Sequence, residues 1–337
     1  MSLREATLCA LRGDDVPAAA MEAAFGEIAD GKASPVAIAA LLVALRAKGE
    51  SVDEIVGAAR ALRARAVPAP AVDPRAIDTC GTGGDGAGTF NVSTAAAFVV
   101  AGAGVPVAKH GNRAASSRAG SIDVLEALGV CCELSVERSA EILARVGIAP
   151  FFARVAHPAM RQLAPVRSEL GLRTIANCLG PLLNPVGVRR QVVGVYAAEL
   201  VVPLAEALGR LGSERALVVH GSDGLDEITT TGASEAALLD AGRVRALHVD
   251  PQALGIPRAE PEALRGGDAA ENAAIVRAVL EGEPGPRRDL VCANAAAALW
   301  VAGAAADLAA GLARARESLD SGAARERLRR LAEAAPR

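Results

Sequence analysis

Several short runs in the chain gather residues that can hold phosphate, a hard cation and a carboxylate. The first is Asp78-Thr-Cys-Gly-Thr-Gly-Gly-Asp-Gly86. Its four glycines let the backbone approach a ligand closely and turn amides towards an anion. No Gly-Lys-Ser/Thr follows, so it is not a Walker loop. Taken alone, the run reads equally as a tight turn. Next, Thr89-Phe-Asn-Val-Ser-Thr94 leads into an Ala-rich helical stretch. Asn91, Ser93 and Thr94 would cluster at its N-terminus, where free amides and the helix dipole favour phosphate. Ordinary capping needs one such residue, and here there are three.

The third run, Lys109-His-Gly-Asn-Arg-Ala-Ala-Ser-Ser117, contains one of only three lysines in the chain. Lys109 and Arg113 offer cations to phosphate oxygens, and Ser116, Ser117 and Ser121 offer hydroxyls. The fourth stretch runs from His157 to Arg167 and on to Asn177-Cys-Leu-Gly-Pro-Leu-Leu-Asn-Pro185. An arginine fork at 167, among apolar neighbours, suits a carboxylate. The alternative is a surface arginine covering its neighbours with its stem. Last is His220-Gly-Ser-Asp-Gly-Leu-Asp-Glu227. In a turn, Asp226 and Glu227 can both approach one hard cation, and one or two carboxylates plus substrate phosphates is the usual magnesium arrangement. Together the runs describe a phosphate ester held by magnesium, lysine, hydroxyls and helix amides, with a second place for a carboxylate.

Elements must position these residues. The first 66 residues read as four short helices. Capping-box spacing starts at Ser2 and Ser51, Pro17 and Pro35 stand at first-turn positions, and Gly31 and Gly49 stand at helix ends. Ile38, Leu41, Leu42 and Leu45 recur at helical spacing, and one face of the bundle needs a further partner to cover it. The proline-rich stretch 67–74 is a connector. Beyond it, β-prone runs at 76–79, 105–109, 149–152, 191–196, 216–220 and 244–249 alternate with helical stretches such as 135–146 and 199–211. From Asp289 the chain reads as helix again. The pattern predicts an α/β fold class, with a small all-helical N-terminal domain (1–70) and a large α/β domain (75–337) around a mostly parallel central sheet. Ligands of such sheets lie beyond the carboxyl ends of the strands, where the distinctive runs fall.

Composition narrows the classes. A chain of 337 residues suggests about two domains. It is 51% hydrophobic and 22% charged, enough for a sizeable core. A net charge of -3 and 2% aromatics argue against nucleic-acid binding. No apolar run reaches membrane-helix length, and no signal-peptide pattern opens the sequence. The six cysteines lack C-x-x-C spacing and read as reduced core residues of a cytoplasmic protein.

The order Gly81-Thr-Gly-Gly-Asp85, Asn91-Val-Ser-Thr94, Lys109-His-Gly-Asn112, His157-Pro158, Asn177 to Pro185 and Asp223-Gly-Leu-Asp-Glu227 resembles the anthranilate phosphoribosyltransferases. The resemblance implies a homodimer whose helical domain also takes up a segment near 165–185. The implied reaction joins anthranilate to 5-phosphoribosyl 1-diphosphate (PRPP) with magnesium (Mg2+), the second step of tryptophan biosynthesis from chorismate. It assigns PRPP contacts to Gly81, Gly84, Asp85, Thr89, Asn91, Ser93, Thr94, Lys109, His110, Gly111, Asn112, Arg113, Ser116, Ser117 and Ser121. It assigns anthranilate contacts to Gly81, Asn112, His157 and Arg167, magnesium to Ser93, Asp226 and Glu227, and the catalytic work to Lys109, Asn112 and Arg167. Ala114, Ala115, Arg118 and Cys178 depart from the residues common in the family. A pyrimidine nucleoside phosphorylase shares the two-domain plan, but the Lys109-His-Gly-Asn112 run and the Asp226-Glu227 pair favour the transferase. A non-catalytic nucleic-acid-binding relative would carry a basic cleft and eroded motifs.

Overall fold

The structure, a computed structural model, describes residues 1–114 and 118–337. Four helices open it: α1 (Leu3–Leu11), α2 (Ala18–Ala29), α3 (Pro35–Lys48) and α4 (Val52–Arg63). Ser2 with Glu5 and Ser51 with Glu54 form complete capping boxes, each satisfying two helix-end donors. Pro35 opens α3 and Gly49, at φ 93°, closes it. Pro17 stands one residue earlier than its first-turn expectation, at the N-cap of α2.

The α/β part follows in the order β1 (Ile77–Gly81), α5 (Val92–Gly102), β2 (Val107–Gly111), α6 (Ser121–Ala127), α7 (Val136–Val146), β3 (Ile148–Phe152) and α8 (Ala153–Ala156). Two short helices, α9 (Ala164–Leu170) and α10 (Ile175–Leu179), precede β4 (Arg190–Gly194), α11 (Val201–Arg210) and β5 (Arg215–Gly221). Then come β6 (Ser234–Asp240), β7 (Arg243–Val249), α12 (Ala269–Leu280), α13 (Pro286–Val301), α14 (Leu308–Asp320) and α15 (Ala323–Ala334). The sheet order is β3-β2-β1-β4-β5-β6-β7, parallel as far as β5 and antiparallel beyond. A small helical part and a mostly parallel α/β part are thus present. The sequence pattern missed β6. Ser234-Glu-Ala-Ala-Leu-Leu-Asp240 has two alanines and two leucines inside polar ends and no β-branched residue, and its strand state comes from pairing on both sides.

Two apolar clusters fill the interior, divided by the faces of the sheet. Alternate residues separate them: Val192, Leu217, Val219 and Leu238 face one cluster, while Val193, Val218, Ala237 and Leu239 face the other. The first cluster holds α5 and the C-terminal helices. The second runs without a break from the sheet into the N-terminal helices, where Phe25, Leu41, Leu45 and Ile55 are buried. Val166, Ile175, Leu179 and Leu183 also belong to it, so the 163–183 stretch covers the N-terminal helices. All six cysteines are free. No helix among the described residues is long and apolar enough to cross a membrane.

Candidate active site

Strand order reverses between β1 and β4, whose chain neighbours leave in opposite directions across the sheet. Such a switch point opens a crevice at the carboxyl ends of the strands. Here Gly81 and Gly194 are paired partners at those two ends. A β-carbon on Gly81 would run into the Asp226 carboxylate, and one on Gly194 into the Asp226 carbonyl. The two glycines therefore let the 221–231 loop lay Asp226 into the crevice. After β1, Gly83 (φ 65°) turns its amide onto Asp226 Oδ2 at 2.7 Å. Asp85 lies near enough to push Asp226 further towards its protonated form.

Glu227 is held from the other side. Its Oε1 accepts from Ser93 N at 3.0 Å, at the first turn of α5. Lys109, at the third position of β2, donates Nζ to Thr79 O at 2.6 Å and to Ser93 Oγ at 3.4 Å. One serine thus links the lysine and the acid pair. Burial raises Asp226 to about 7, with Asp85 adding to it. Burial also raises Glu227 well above the usual carboxylate range, followed by repulsion from Asp226 and opposed by Lys109. Two half-buried acids that resist ionisation are ready to receive a cation. No group of three or more His, Cys, Asp or Glu among the described residues forms a metal cage. The hard-oxygen set of Asp226, Glu227 and Ser93 Oγ fits magnesium that brings its remaining oxygens from water and substrate phosphates.

Asp78, one strand position from Thr79, is fully buried. Its Oδ1 accepts from His110 N at 3.2 Å and its Oδ2 from Asn184 Nδ2 at 2.9 Å, and Asn184 also donates to Ala108 O at 2.9 Å. Burial lifts Asp78 to about 6 against the pull of Lys109. This network clamps the ends of β1 and β2 under the crevice. Asn91, at the N-cap of α5, donates to Ala119 O at 3.3 Å and accepts from Asn272 Nδ2 at 2.9 Å. Thr94 is buried beside it, its hydroxyl without a partner among the described residues. Thr89 bridges to Arg265.

The loop after β2 places Ser121 Oγ against Gly111, where a side chain would collide with it. Asn112 turns its Oδ1 onto Arg113 N at 2.9 Å. Arg113, expected to meet phosphate, instead donates to Glu126 at 2.7 Å and Glu133 at 2.9 Å and lies over the Phe152 ring at 5.2 Å. Its charge is met by carboxylates that spacing alone does not reveal. Ser116 and Ser117 lie outside the described residues. His110 and His157 meet edge to face at 5.3 Å, both buried, with His110 Nε2 and His157 Nδ1 unpartnered among the described residues. Burial, then the neighbouring His157, lowers His110 to about 3, and burial lowers His157 too, so both rings are neutral near pH 7. His157 Nε2 is tied to Leu183 O at 2.5 Å.

Arg167 projects from α9, half-buried, with burial lowering its pKa. No side chain or carbonyl among the described residues accepts from its guanidinium. A desolvated cation without a counter-ion suits a ligand carboxylate.

Two family descriptions match the chain: a helical bundle domain of a glycosyl transferase family over residues 4–66, and the α/β domain of the same family over residues 73–325. The anthranilate phosphoribosyltransferase of Rubrobacter xylanophilus is 55% identical over 329 residues, 97% of this chain and 96% of the relative. The chain belongs to the anthranilate phosphoribosyltransferase family. Its family relative from Azorhizobium caulinodans is 54% identical over 92% of this chain and 90% of its own length. The crystal structure of the Thermus thermophilus anthranilate phosphoribosyltransferase superposes with a TM-score of 0.92 at 47% identity, covering 98% of both chains. The Saccharomyces cerevisiae anthranilate phosphoribosyltransferase in complex with PRPP and Mg gives 0.89 at 27% identity, covering 98% of this chain and 97% of that one.

Several residues of this candidate site carry no role from sequence patterns alone. Asp78 and Asn184 lay inside conspicuous runs, but their clamp depends on burial. Gly194 had no signal beyond being a glycine at a strand end.

Proposed function

We propose that this chain transfers the 5-phosphoribosyl group of PRPP to the amine of anthranilate, releasing diphosphate, as the second step of tryptophan biosynthesis. One observation carries the reading. At the β1/β4 switch point, Ser93 joins a buried lysine to a half-buried acid pair, directly beside the glycine-rich loop. In this reading the Gly81–Asp85 loop, Thr89, Asn91, Ser93, Thr94, Lys109 to Asn112, Ser116, Ser117 and Ser121 hold PRPP. Asp226, Glu227 and Ser93 hold magnesium, which when bound neutralises charge on the leaving diphosphate. Lys109 sits where it shares that electrostatic work.

Anthranilate carries a neutral amine at pH 7, so attack needs no strong general base. The neutral His110 and His157 fit a site whose task is to position the amine and exclude water. Arg167 takes the carboxylate, and Asn112, Gly81 and His157 complete the acceptor side. The helical bundle with its 163–183 cover forms one wall of the cleft and the strand ends form the other.

The chain works as a homodimer in the cytoplasm. Support for the dimer comes from Leu8, Leu11, Val36 and Val43, large apolar side chains left exposed on α1 and α3. Analytical ultracentrifugation of the wild type and of L11E/V36E checks this, with a dimer becoming a monomer.

The activity test follows loss of anthranilate fluorescence on mixing with PRPP and magnesium. Loss that needs both, and stops with a chelator, is the expected result. Nucleoside phosphorolysis without PRPP, or no loss from a folded chain, would overturn the reading.

A further inference from the structure

Arg173 lies in the link between α9 and α10, on the stretch that covers the N-terminal helices. Its guanidinium reaches out of that stretch to the α/β side and stacks over the Tyr196 ring, 4.5 Å from the centroid. Tyr196 is itself fastened to the glycine-rich loop, because its backbone N–H donates to Thr82 Oγ1 at 3.1 Å. Two residues on, Arg173 Nε stands 3.8 Å from the position a β-carbon on Gly84 would take. Thus the arginine faces the loop from across the cleft.

Its charge has no counter-ion among the described residues. Some exposed arginines are paired, as Arg75 is with Asp73 and Arg189 with Glu214, and others among them, such as Arg60 and Arg243, stand free; Arg173 is set apart by its stack over a ring beside the glycine-rich loop. Arg173 makes no ion pair or hydrogen bond through its guanidinium among the described residues. Stacking on a ring face fixes the plane of a guanidinium and leaves its edge donors free. Below it, Gly83, Gly84 and Gly86 all adopt positive φ, and while the Gly83 amide is taken by Asp226, the Gly84, Asp85 and Gly86 amides have no partner among the described residues. Both sides of this gap therefore offer donors to one polyanion.

We propose that Arg173 binds the diphosphate end of PRPP, gripping from the helical side what the glycine-rich loop cradles from the sheet side. The inference rests on the PRPP reading above and adds a residue to it. Planar bidentate donation suits phosphate oxygens, so lysine is only a partial substitute. Arg173 also sits six positions after Arg167, so a filled diphosphate site fixes the stretch that carries the acceptor arginine.

The test compares PRPP with ribose 5-phosphate, which lacks the diphosphate. Dissociation constants are measured by calorimetry with magnesium for the wild type, R173A, R173K and Y196L. Expected for R173A is a loss of PRPP affinity of about 10–30-fold with ribose 5-phosphate unchanged. R173K recovers part of the loss, and Y196L, which frees the guanidinium from its stack, shows a smaller loss of the same kind. Wild-type PRPP affinity in R173A, or equal losses for both ligands, would overturn the proposal while leaving the PRPP reading intact. A wild-type chain that binds no PRPP would remove both.

Discussion

Two lysines with buried ends lie in the two parts of this molecule, and their surroundings differ. In the helical part, Lys48 donates to Asp15 at 2.6 Å and meets Glu54 at 3.2 Å. Burial pulls its pKa down, but Asp15 and Glu54 outweigh that and leave it raised. In the sheet, Lys109 has no carboxylate within ion-pair distance among the described residues, only a carbonyl and a hydroxyl. Lys48 is satisfied by its own fold. Lys109 is held in place and left with charge to share. In the proposed reading the same residue type serves architecture where its counter-charge is built in, and chemistry where the counter-charge must arrive with a ligand.

Substitution separates the two roles. K109M is expected to lower kcat/KM for PRPP by about 10²–10³-fold with the melting curve little changed, the scale for losing one preorganised electrostatic group. Unchanged steady-state kinetics would erase the contrast. R167A, removing another unpaired cation of the cleft, should raise KM for anthranilate about 10–100-fold and affect PRPP far less. Equal effects on both substrates would place Arg167 outside the acceptor site. K48M should cost about 2 kcal/mol of stability, discounted because Asp15 faces solvent, and leave turnover per folded molecule intact. Slow turnover in folded K48M would show that the two lysines are not separable.

The smallest effect concerns the clamp beneath Lys109. Asp78 titrates near 6 in the fold and near 3.9 when unfolded. Between those values the folded state holds more protons. Its contribution to stability is full below about pH 4 and is lost as pH rises through 6. Wild type should therefore lose about 1–2 kcal/mol relative to D78N between pH 4 and pH 6.5 in urea melts. Parallel pH profiles for the two proteins would show that Asp78 is not the titrating group.

Legibility in the sequence followed how local each signal was. The N-terminal helices announce themselves through Ser2, Ser51, Pro35 and Gly49, because caps act within one turn. The phosphate runs were visible because glycines, hydroxyls and a rare lysine cluster just after strands. Strand β6 was not, since its pairing on both edges decides its state. Arg113 stands in a run of phosphate-binding character, yet Glu126 and Glu133 claim its charge, and only the folded chain brings them together. The sharing of Ser93 between Lys109 and Glu227 likewise joins residues 134 positions apart.

The cover of the N-terminal helices comes late in the chain. During synthesis α1 to α4 leave the ribosome about 120 residues before Leu183 does, roughly 6–24 s at ordinary translation rates. Through that interval Leu41, Leu45 and Ile55 lack part of the surface that buries them. A nascent chain stalled after residue 70 therefore offers an apolar face to chaperones and proteases, and one stalled beyond the exit of β6 does not.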